Sequence, residues 1–255
     1  IVGEYMWPWY QEAASKGFEA NGYEVIRYGW CKDFFSWIKN KPEPVYKSFY
    51  HRVQFKFQVG PTVQRINREL LDLASRELPS KIILYHAILI TPSTISKLRR
   101  LVPEAKIIQY TPDNPFSLKS DKYFWRNFLR SIPLVDYTTP HRLKNISDIE
   151  KYGKSQKTDF VLLPYFIPSD NYPVEKVDIL ERFKCNIVFA GHYENDKRVS
   201  CIEALMTAGF SVKLYGGGWD RAYSELCSDS PIRDLLPVEP AVGADYRSAI
   251  NGAEL

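Results

Sequence analysis

Apolar and polar positions along this chain predict strands and helices in regular alternation. Lys81–Ile90 is a nearly continuous apolar run, which is typical of a buried parallel strand. Pro61 opens a segment whose apolar residues recur at helical spacing. Further strands are predicted at Ile1–Gly3, Tyr23–Tyr28, Lys106–Tyr110, Leu134–Thr138 and Phe160–Leu163. Further helices are predicted at Gln11–Glu19, Cys31–Lys41, Asp121–Ile132 and His141–Tyr152, with another after Thr91-Pro92.

The segment Cys185–Arg221 predicts a complete βαβ unit. A short apolar strand ends at Gly191, and a helix runs from about Asp196 to Ala208, where Gly209 stops it. A second strand, Ser211–Tyr215, is followed by three glycines and a tryptophan. Parallel strands joined by a helix are the building block of nucleotide-binding α/β folds, and ligands bind there at the carboxyl ends of the strands.

The alternation as a whole predicts an α/β fold with parallel sheets and helices on both faces. A proline-rich stretch, residues 164–173, interrupts this pattern and is a candidate linker. We therefore expect two domains, 1–170 and 171–255.

Composition and charge narrow the class of partner only a little. The chain has 255 residues, 45% of them hydrophobic and 25% charged, as in ordinary globular proteins. A net charge of +4 suits an anionic small molecule but does not single out nucleic acid. Basic and aromatic residues alternate over Lys119–Arg130, but an amphipathic helix with inward aromatic residues is the simpler interpretation. No nucleic-acid partner is expected.

Cysteine usage and hydropathy predict a cytoplasmic protein. The four cysteines form no C-x-x-C pair and have no histidine at metal-binding spacing, so a reducing compartment is expected. The longest uncharged stretch, Ile82–Ser96, is shorter than the roughly 20 residues of a membrane span. No signal peptide or transmembrane segment is expected, and a peripheral membrane contact stays open.

Three segments resemble glycosyltransferases of the GT-B type, in particular the spore-maturation (CgeB-like) group with its relation to the family 1 and family 4 types. The first is QYTPDNPFS, Gln109–Ser117. The second is VDYTTPHRLKNI together with VLLPYFIPSDNYP, and the third is VFAGHYENDKR followed by VKLYGGGW. The resemblance extends from about Lys81 to Trp219.

This resemblance implies two Rossmann-like domains, a sugar-transfer activity and a role in polysaccharide biosynthesis. The first domain would hold a glycan or saccharide acceptor, and the second would hold a nucleoside-diphosphate-sugar as co-substrate. No metal or other cofactor is implied, because backbone amides and cations neutralise the leaving diphosphate. A second domain of this kind takes about 150 residues, and only about 80 follow the linker. We therefore expect it to be incomplete in this chain, a fragment of a longer enzyme.

The predicted donor site lies in the βαβ unit and consists of Gly191, His192, Lys197, Arg198, Gly216, Gly217 and Trp219. Gly191 would let a phosphate approach the backbone, or would be only a left-handed turn residue. Lys197 and Arg198 oppose the helix dipole unless an anion lies nearby, and otherwise are solvated side chains. Trp219 would stack on a base or pack in the core.

The predicted acceptor site lies at strand ends of the first domain. Asp113 and His141 are the candidate catalytic groups, and Asn114, Gly3, Glu4 and Tyr5 are candidates for substrate binding. Asp113 and Asn114 lie between two prolines that fix the turn, so either they face a ligand or they form an Asx turn. His141 is a candidate general base or a surface residue at a helix start.

Two other interpretations compete with the transferase. A non-catalytic module would bind a glycan or nucleotide without turnover. The other is a response-regulator or dehydrogenase-like α/β protein, and a dehydrogenase should carry G-x-G-x-x-G after its first strand, where this chain has GEYMWP. Glu69 and Glu77 have the spacing of the Glu-x7-Glu motif of retaining GT-B enzymes, but they fall on a predicted first-domain helix and are not assigned to it.

Overall fold

A computed structural model describes residues 1–38, 44–117, 123–153, 179–194 and 196–255. The chain divides into two compact units, Ile1–Phe166 and Ile167–Leu255. The expected boundary at 170/171 and the predicted strand Phe160–Leu163 lie outside the described residues.

The first unit is built on a five-stranded parallel sheet. Every neighbouring pair is parallel, which confirms the α/β class expected from the alternating pattern. The strands are β1 (Val2–Gly3), β2 (Tyr28–Gly29), β5 (Lys81–Tyr85), β6 (Lys106–Tyr110) and β7 (Tyr137–Thr139). Counted among themselves, the five strands follow the order 2-1-3-4-5, which is a doubly wound arrangement. This sheet is compatible with a Rossmann-like fold.

Helices cover both faces of this sheet because alternate strand residues are apolar on either side. Ile82 and Leu84 face the main core, and Ile83 and Tyr85 face a smaller cluster that contains Ala14. The helices of this unit are α1 (Ala13–Ala20), α2 (Cys31–Phe34), α3 (Phe49–Phe57), α4 (Pro61–Glu77), α5 (Pro92–Leu101), α6 (Arg126–Ser131) and α7 (Asn145–Gly153). A π-helical turn, Pro8–Glu12, precedes α1, and a 3-10 turn, Ile132–Leu134, follows α6.

A small antiparallel hairpin separates α2 from α3. It pairs β3 (Phe35–Ser36) with β4 (Val45–Tyr46). Here the predicted helix Cys31–Lys41 is wrong beyond Phe34, and residues 39–43 lie outside the described ranges. Phe35 turns onto Tyr46 and Phe55 instead, so tertiary aromatic packing overrides the local helical pattern.

Several other element boundaries differ from those that the sequence predicts. The strand expected at Tyr23–Tyr28 is reduced to β2, and the one expected at Leu134–Thr138 is β7. The helices expected from Asp121 and His141 begin later, at Arg126 and Asn145.

The second unit contains the predicted βαβ. Strands β8 (Ile187–Ala190) and β9 (Val212–Tyr215) are parallel, and α8 (Arg198–Thr207) connects them. Gly209 adopts a φ of +90° after α8, which confirms its predicted role as the helix stop. The remaining elements are 3-10 turns at Glu181–Phe183 and Pro231–Leu235 and the helices α9 (Trp219–Ala222) and α10 (Ala244–Gly252).

A bilayer-spanning helix must be both long and apolar. None of the helices in the described ranges meets both requirements.

Candidate active site

Three ionisable side chains meet at the carboxyl edge of the first sheet. Glu4 follows β1, His86 follows β5, and Asp113 follows β6 by three residues. His86 Nδ1 lies 3.1 Å from Glu4 Oε1, and His86 Nε2 lies 3.4 Å from Asp113 Oδ2. The imidazole is therefore placed between two carboxylates that come from different strands.

Strand register explains why Glu4 and His86 are adjacent. Gly3 pairs with Tyr85 in the β1–β5 ladder, so the next residue of each strand is Glu4 on one side and His86 on the other. The backbone N–H of His86 donates to Tyr110 O of β6 at 2.8 Å and extends the ladder by one bond. Because β1 and β5 are the strands at which the winding direction reverses, the pair occupies the switch point where doubly wound sheets bind ligands.

His86 adopts a left-handed backbone conformation with a φ of +53°. This region costs an L-residue roughly 1–2 kcal/mol, although histidine enters it more often than most residues. The side chain is held in place by packing, with the Trp125 ring at 5.3 Å and the Phe124 ring at 5.9 Å between centroids. Backbone strain that the surrounding packing maintains is a recurrent feature of functional sites.

The charges around His86 favour its protonated form. Burial lowers the pKa of the imidazole, but the carboxylate of Glu4, its hydrogen bond to the ring and the carboxylate of Asp113 more than offset this, so the pKa is raised. His86 is 13% exposed and Asp113 is 60% exposed, so only the Asp113 end of the cluster faces solvent freely. His86 Nε2 is buried and has no hydrogen-bond partner among the described residues, because its 3.4 Å contact with Asp113 Oδ2 is longer than an ordinary hydrogen bond.

Glu4 and Asp113 are among the site residues that the sequence predicts, and His86 is not. The predicted strand covers the whole run Lys81–Ile90, whereas β5 ends at Tyr85. The sequence does contain a sign of this residue, because a histidine interrupts an apolar run at the end of a parallel strand. Polar side chains at that position lie at the carboxyl edge of the sheet, where ligands bind.

His141 and Asp113, the two predicted catalytic residues, line the same small cavity. It measures about 10 Å³, the room of one water molecule, and Thr139 and Asn145 also border it. His141 Nδ1 is buried there without a hydrogen-bond partner among the described residues. The structure thus brings these two residues together, next to the Glu4–His86 pair.

Asn114 has a structural role in the Pro112–Pro115 loop. Its Oδ1 accepts from the backbone N–H of Phe116 at 3.1 Å, which is the Asx turn that the sequence offered as one alternative. The same oxygen accepts from Asn145 Nδ2 at 2.9 Å, and Arg142 donates to Pro112 O at 3.1 Å. These bonds fix the loop that carries Asp113.

Gly3 and Tyr5 are packed against α1 and its leading turn. A Cβ on Gly3 would lie 2.6 Å from Gln11 Cγ and 2.7 Å from Tyr85 O, so only glycine fits. The Tyr5 hydroxyl lies 2.9 Å from Ser15 Oγ, and burial raises the pKa of Tyr5 to about 12. Both residues shape the edge of the sheet beside Glu4.

In the second unit the predicted donor glycines lie against each other. Gly191 N–H donates to Tyr215 O at 2.8 Å. A Cβ on Gly216, whose φ is +142°, would lie 2.1 Å from Gly191 O. Gly191 has no left-handed φ, so the plain turn interpretation does not apply to it. The two strand ends are therefore closely apposed.

Trp219 is buried in the core of the second unit. It is 1% exposed, and its ring lies 5.9 Å from Phe189 and 5.5 Å from Tyr193 between centroids. Its Nε1 donates to Gly191 O at 3.0 Å. Of the two alternatives that the sequence left open for Trp219, stacking on a base or packing in the core, the structure shows core packing.

Arg198 is engaged by neighbouring carboxylates. Its guanidinium lies 2.7 Å from Asp196 and 3.1 Å from Glu194, and it also donates to His192 O. The Asp196 carboxylate raises the pKa of Arg198 despite some desolvation. A diphosphate at this site would compete with both carboxylates.

Lys197 and Gly217 flank the same loop. Lys197 is the N-cap residue of α8 and is exposed. Gly217 O accepts from Tyr193 N–H at 3.0 Å, and a Cβ on Gly217 would lie 3.0 Å from His192 Nδ1. These residues thus surround the Gly191 end of β8, and Lys197 supplies an exposed cation beside it.

Among the described residues, no group of three or more His, Cys, Asp or Glu side chains is arranged to hold a metal ion. No protein-family model and no curated protein matches the chain. The class is therefore defined by fold and site alone: an α/β protein with a five-stranded parallel sheet, compatible with a Rossmann-like fold, and a Glu–His–Asp cluster at its switch point.

Proposed function

We propose that the chain is part of a GT-B-like glycosyltransferase that transfers a sugar from a nucleoside-diphosphate-sugar to a saccharide or glycan acceptor. The observation that carries the proposal is the Glu4–His86–Asp113 contact at the switch point of the first sheet. Sugar transfer to a hydroxyl needs a group that removes the hydroxyl proton, and a histidine oriented by a carboxylate is suited to that task.

In this proposal His86 is the general base in its neutral form, which the raised pKa shifts to higher pH than for an ordinary histidine. With Nδ1–H donated to Glu4, the lone pair of the neutral ring lies on Nε2, close to Asp113. Asp113 accepts a hydrogen bond from an acceptor hydroxyl and orients it. As the acceptor oxygen bonds to the anomeric carbon, its proton passes to His86 Nε2. The bond from that carbon to the diphosphate oxygen breaks, and the nucleoside diphosphate leaves.

The donor would be held by the second unit. Backbone amides near Gly191 and the exposed Lys197 supply positive potential at the amino end of α8. Arg198 contributes only when the phosphates displace Asp196 and Glu194 from its guanidinium. The arrangement uses protein groups to neutralise the leaving diphosphate.

Release of nucleoside diphosphate from a panel of uridine and guanosine diphosphate-sugars, with and without oligosaccharide acceptors, tests this proposal. Replacement H86Q should lower kcat by about 10²–10⁴-fold, the usual contribution of a general base. Replacement H51Q, at a histidine outside the site, should leave the rate unchanged. Turnover that is equal in the wild type and H86Q contradicts the role of His86, and the absence of both turnover and binding with every donor contradicts the proposal.

The second candidate is a non-catalytic module that binds a glycan or nucleotide. The pairing of Arg198 with two carboxylates favours it, because a guanidinium neutralised in this way is less able to offset the charge that develops on a leaving diphosphate. Calorimetry separates the two functions: a module binds donor or glycan with a measurable heat while the donor stays intact.

A further inference from the structure

Helix α3 packs only one of its faces against the first unit. Gln54 and Gln58 are buried, and Phe55 contacts the rings of Phe34 and Phe124. Gln54 Oε1 accepts from Thr62 N–H at 2.8 Å, which ties α3 to the start of α4. The inner face is thus fixed by polar and aromatic contacts, and the helix is held rigidly on the surface.

The opposite face of α3 is apolar and exposed. Phe49 is 79% exposed, Tyr50 55%, Phe57 46% and Val53 37%. At about 100° per residue, these four side chains share one sector roughly 100° wide. Four exposed apolar side chains on one helix face are an unusual surface for a globular protein and indicate an interaction site.

Cations border this apolar sector on one side. Arg52 and Lys56 are exposed and lie next to it on the helical wheel, and Lys56 Nζ is 5.8 Å from the Phe57 ring centroid. The sequence from Pro44 to Arg68 contains five Lys or Arg residues and no Asp or Glu. Within the described ranges no carboxylate pairs with Arg52 or Lys56. The six outward residues, Phe49, Tyr50, Arg52, Val53, Lys56 and Phe57, are named the aromatic–basic face.

We propose that the aromatic–basic face docks on the surface of an anionic phospholipid bilayer. Aromatic and aliphatic side chains would enter the interface while Arg52 and Lys56 contact the headgroup phosphates. Charge argues against a second copy as the occupant, because a symmetric contact would bring these cations together with no acidic residue of α3 to pair with them. The inference is independent of the sugar-transfer proposal.

Co-sedimentation of the full chain with vesicles tests the docking. Vesicles of phosphatidylcholine mixed with phosphatidylglycerol should bind the protein, with affinity falling as salt rises, and vesicles of phosphatidylcholine alone should bind it weakly. The double replacement R52Q/K56Q should weaken binding roughly 30-fold, the effect of removing two cations at an anionic surface. The double replacement F49S/F57S should abolish binding.

Matched controls keep the test specific to α3. Replacement K97Q/R100Q removes two exposed cations from α5, and Y223S/Y246S removes two exposed aromatic side chains from the second unit. Both should bind like the wild type, and circular dichroism checks that each variant is folded. Equal binding by the α3 variants, or no binding by the folded wild type, overturns the proposal. A dimer that F49S/F57S dissociates, without vesicle binding, identifies a second copy instead.

Discussion

Glu4 Oε1 and His86 Nδ1 lie 3.1 Å apart at the ends of two adjacent parallel strands. Because Gly3 pairs with Tyr85, strand register places Glu4 beside His86 and lets their side chains meet. The carboxylate therefore accompanies the imidazole in the folded protein and is separated from it in the unfolded chain. This difference between the two states makes the stability of the protein depend on pH.

The first prediction concerns that pH dependence. The pKa of His86 is raised above its ordinary value of 6.5 in the folded state, so its contribution to stability is complete below that value and is lost as pH rises through the folded pKa. A tenfold difference in proton affinity between the folded and unfolded states corresponds to about 1.4 kcal/mol of unfolding free energy. Urea unfolding at a series of pH values should show this loss in the wild type and not in H86Q.

Two variants control the measurement. Replacement E4Q removes the larger electrostatic contribution to the raised pKa and should reduce the pH-dependent part of the unfolding free energy. Replacement H51Q, at a half-buried histidine that is hydrogen-bonded to Ser48 outside the site, should keep the full wild-type dependence. An H86Q protein with the same pH profile as the wild type would show that His86 is not the group responsible.

The local pattern predicts β5 and β6 because both are apolar runs, whereas β2 and β7 are short, less apolar segments whose bounds differ from the prediction. Glu4 and Asp113 could be selected as candidates on that basis, since each comes soon after a strand. The left-handed conformation of His86 could not be predicted from the sequence, because it depends on how the following residues are buried. Asn127 Nδ2 donates to Ile88 O at 3.1 Å, so a distant helix satisfies a buried carbonyl of this loop. A contact between residues so far apart in the chain cannot be predicted from the local sequence pattern.

The second unit shows a different limit of sequence reasoning. The sequence correctly predicts that the glycines of the βαβ lie at strand ends. A glycine at a strand end, however, permits close backbone packing as readily as it permits the approach of a ligand. A Cβ on Gly216 would clash with Gly191 O, and Trp219 Nε1 donates a hydrogen bond to the same carbonyl oxygen. Likewise the charges of Lys197 and Arg198 are visible in the sequence, whereas the pairing of Arg198 with Asp196 is a product of loop geometry.

The second prediction concerns Gly216. Replacement G216A should destabilise the second unit by about 3 kcal/mol or more, because a Cβ would clash with Gly191 O and the φ is unfavourable. Gly209 also has a positive φ, but no atom lies within 4 Å of the Cβ that the replacement G209A would add. It should cost only about 1 kcal/mol. Denaturant unfolding of both variants measures the difference, and equal losses would mean that steric contact is not the cause.

The third prediction concerns anion binding at the start of α8. Replacement D196N keeps an oxygen that accepts the Arg198 backbone N–H but removes the charge that holds the guanidinium. Uridine diphosphate should then bind several-fold more tightly, and R198Q should bind it more weakly than the wild type. Calorimetry measures both affinities. Replacement D229N removes an exposed charge elsewhere in the unit and should have little effect, so an equal gain in D229N would indicate only a net-charge effect.

The last prediction concerns Asn67, which supports the loop after His86. Its Nδ2 donates to Leu89 O and Val63 O at 2.8 Å, and its Oδ1 accepts from Thr91 N–H at 2.9 Å. Replacement N67A leaves buried loop groups without partners, so we expect a loss of about 2–4 kcal/mol in unfolding free energy. His86 immediately precedes this loop, so the pH dependence of stability should also weaken. Replacement N21A removes a single exposed bond to Gly17 and should cost well under about 1 kcal/mol. A destabilised N67A protein that retains the full His86 titration would show that the loop keeps its conformation without Asn67.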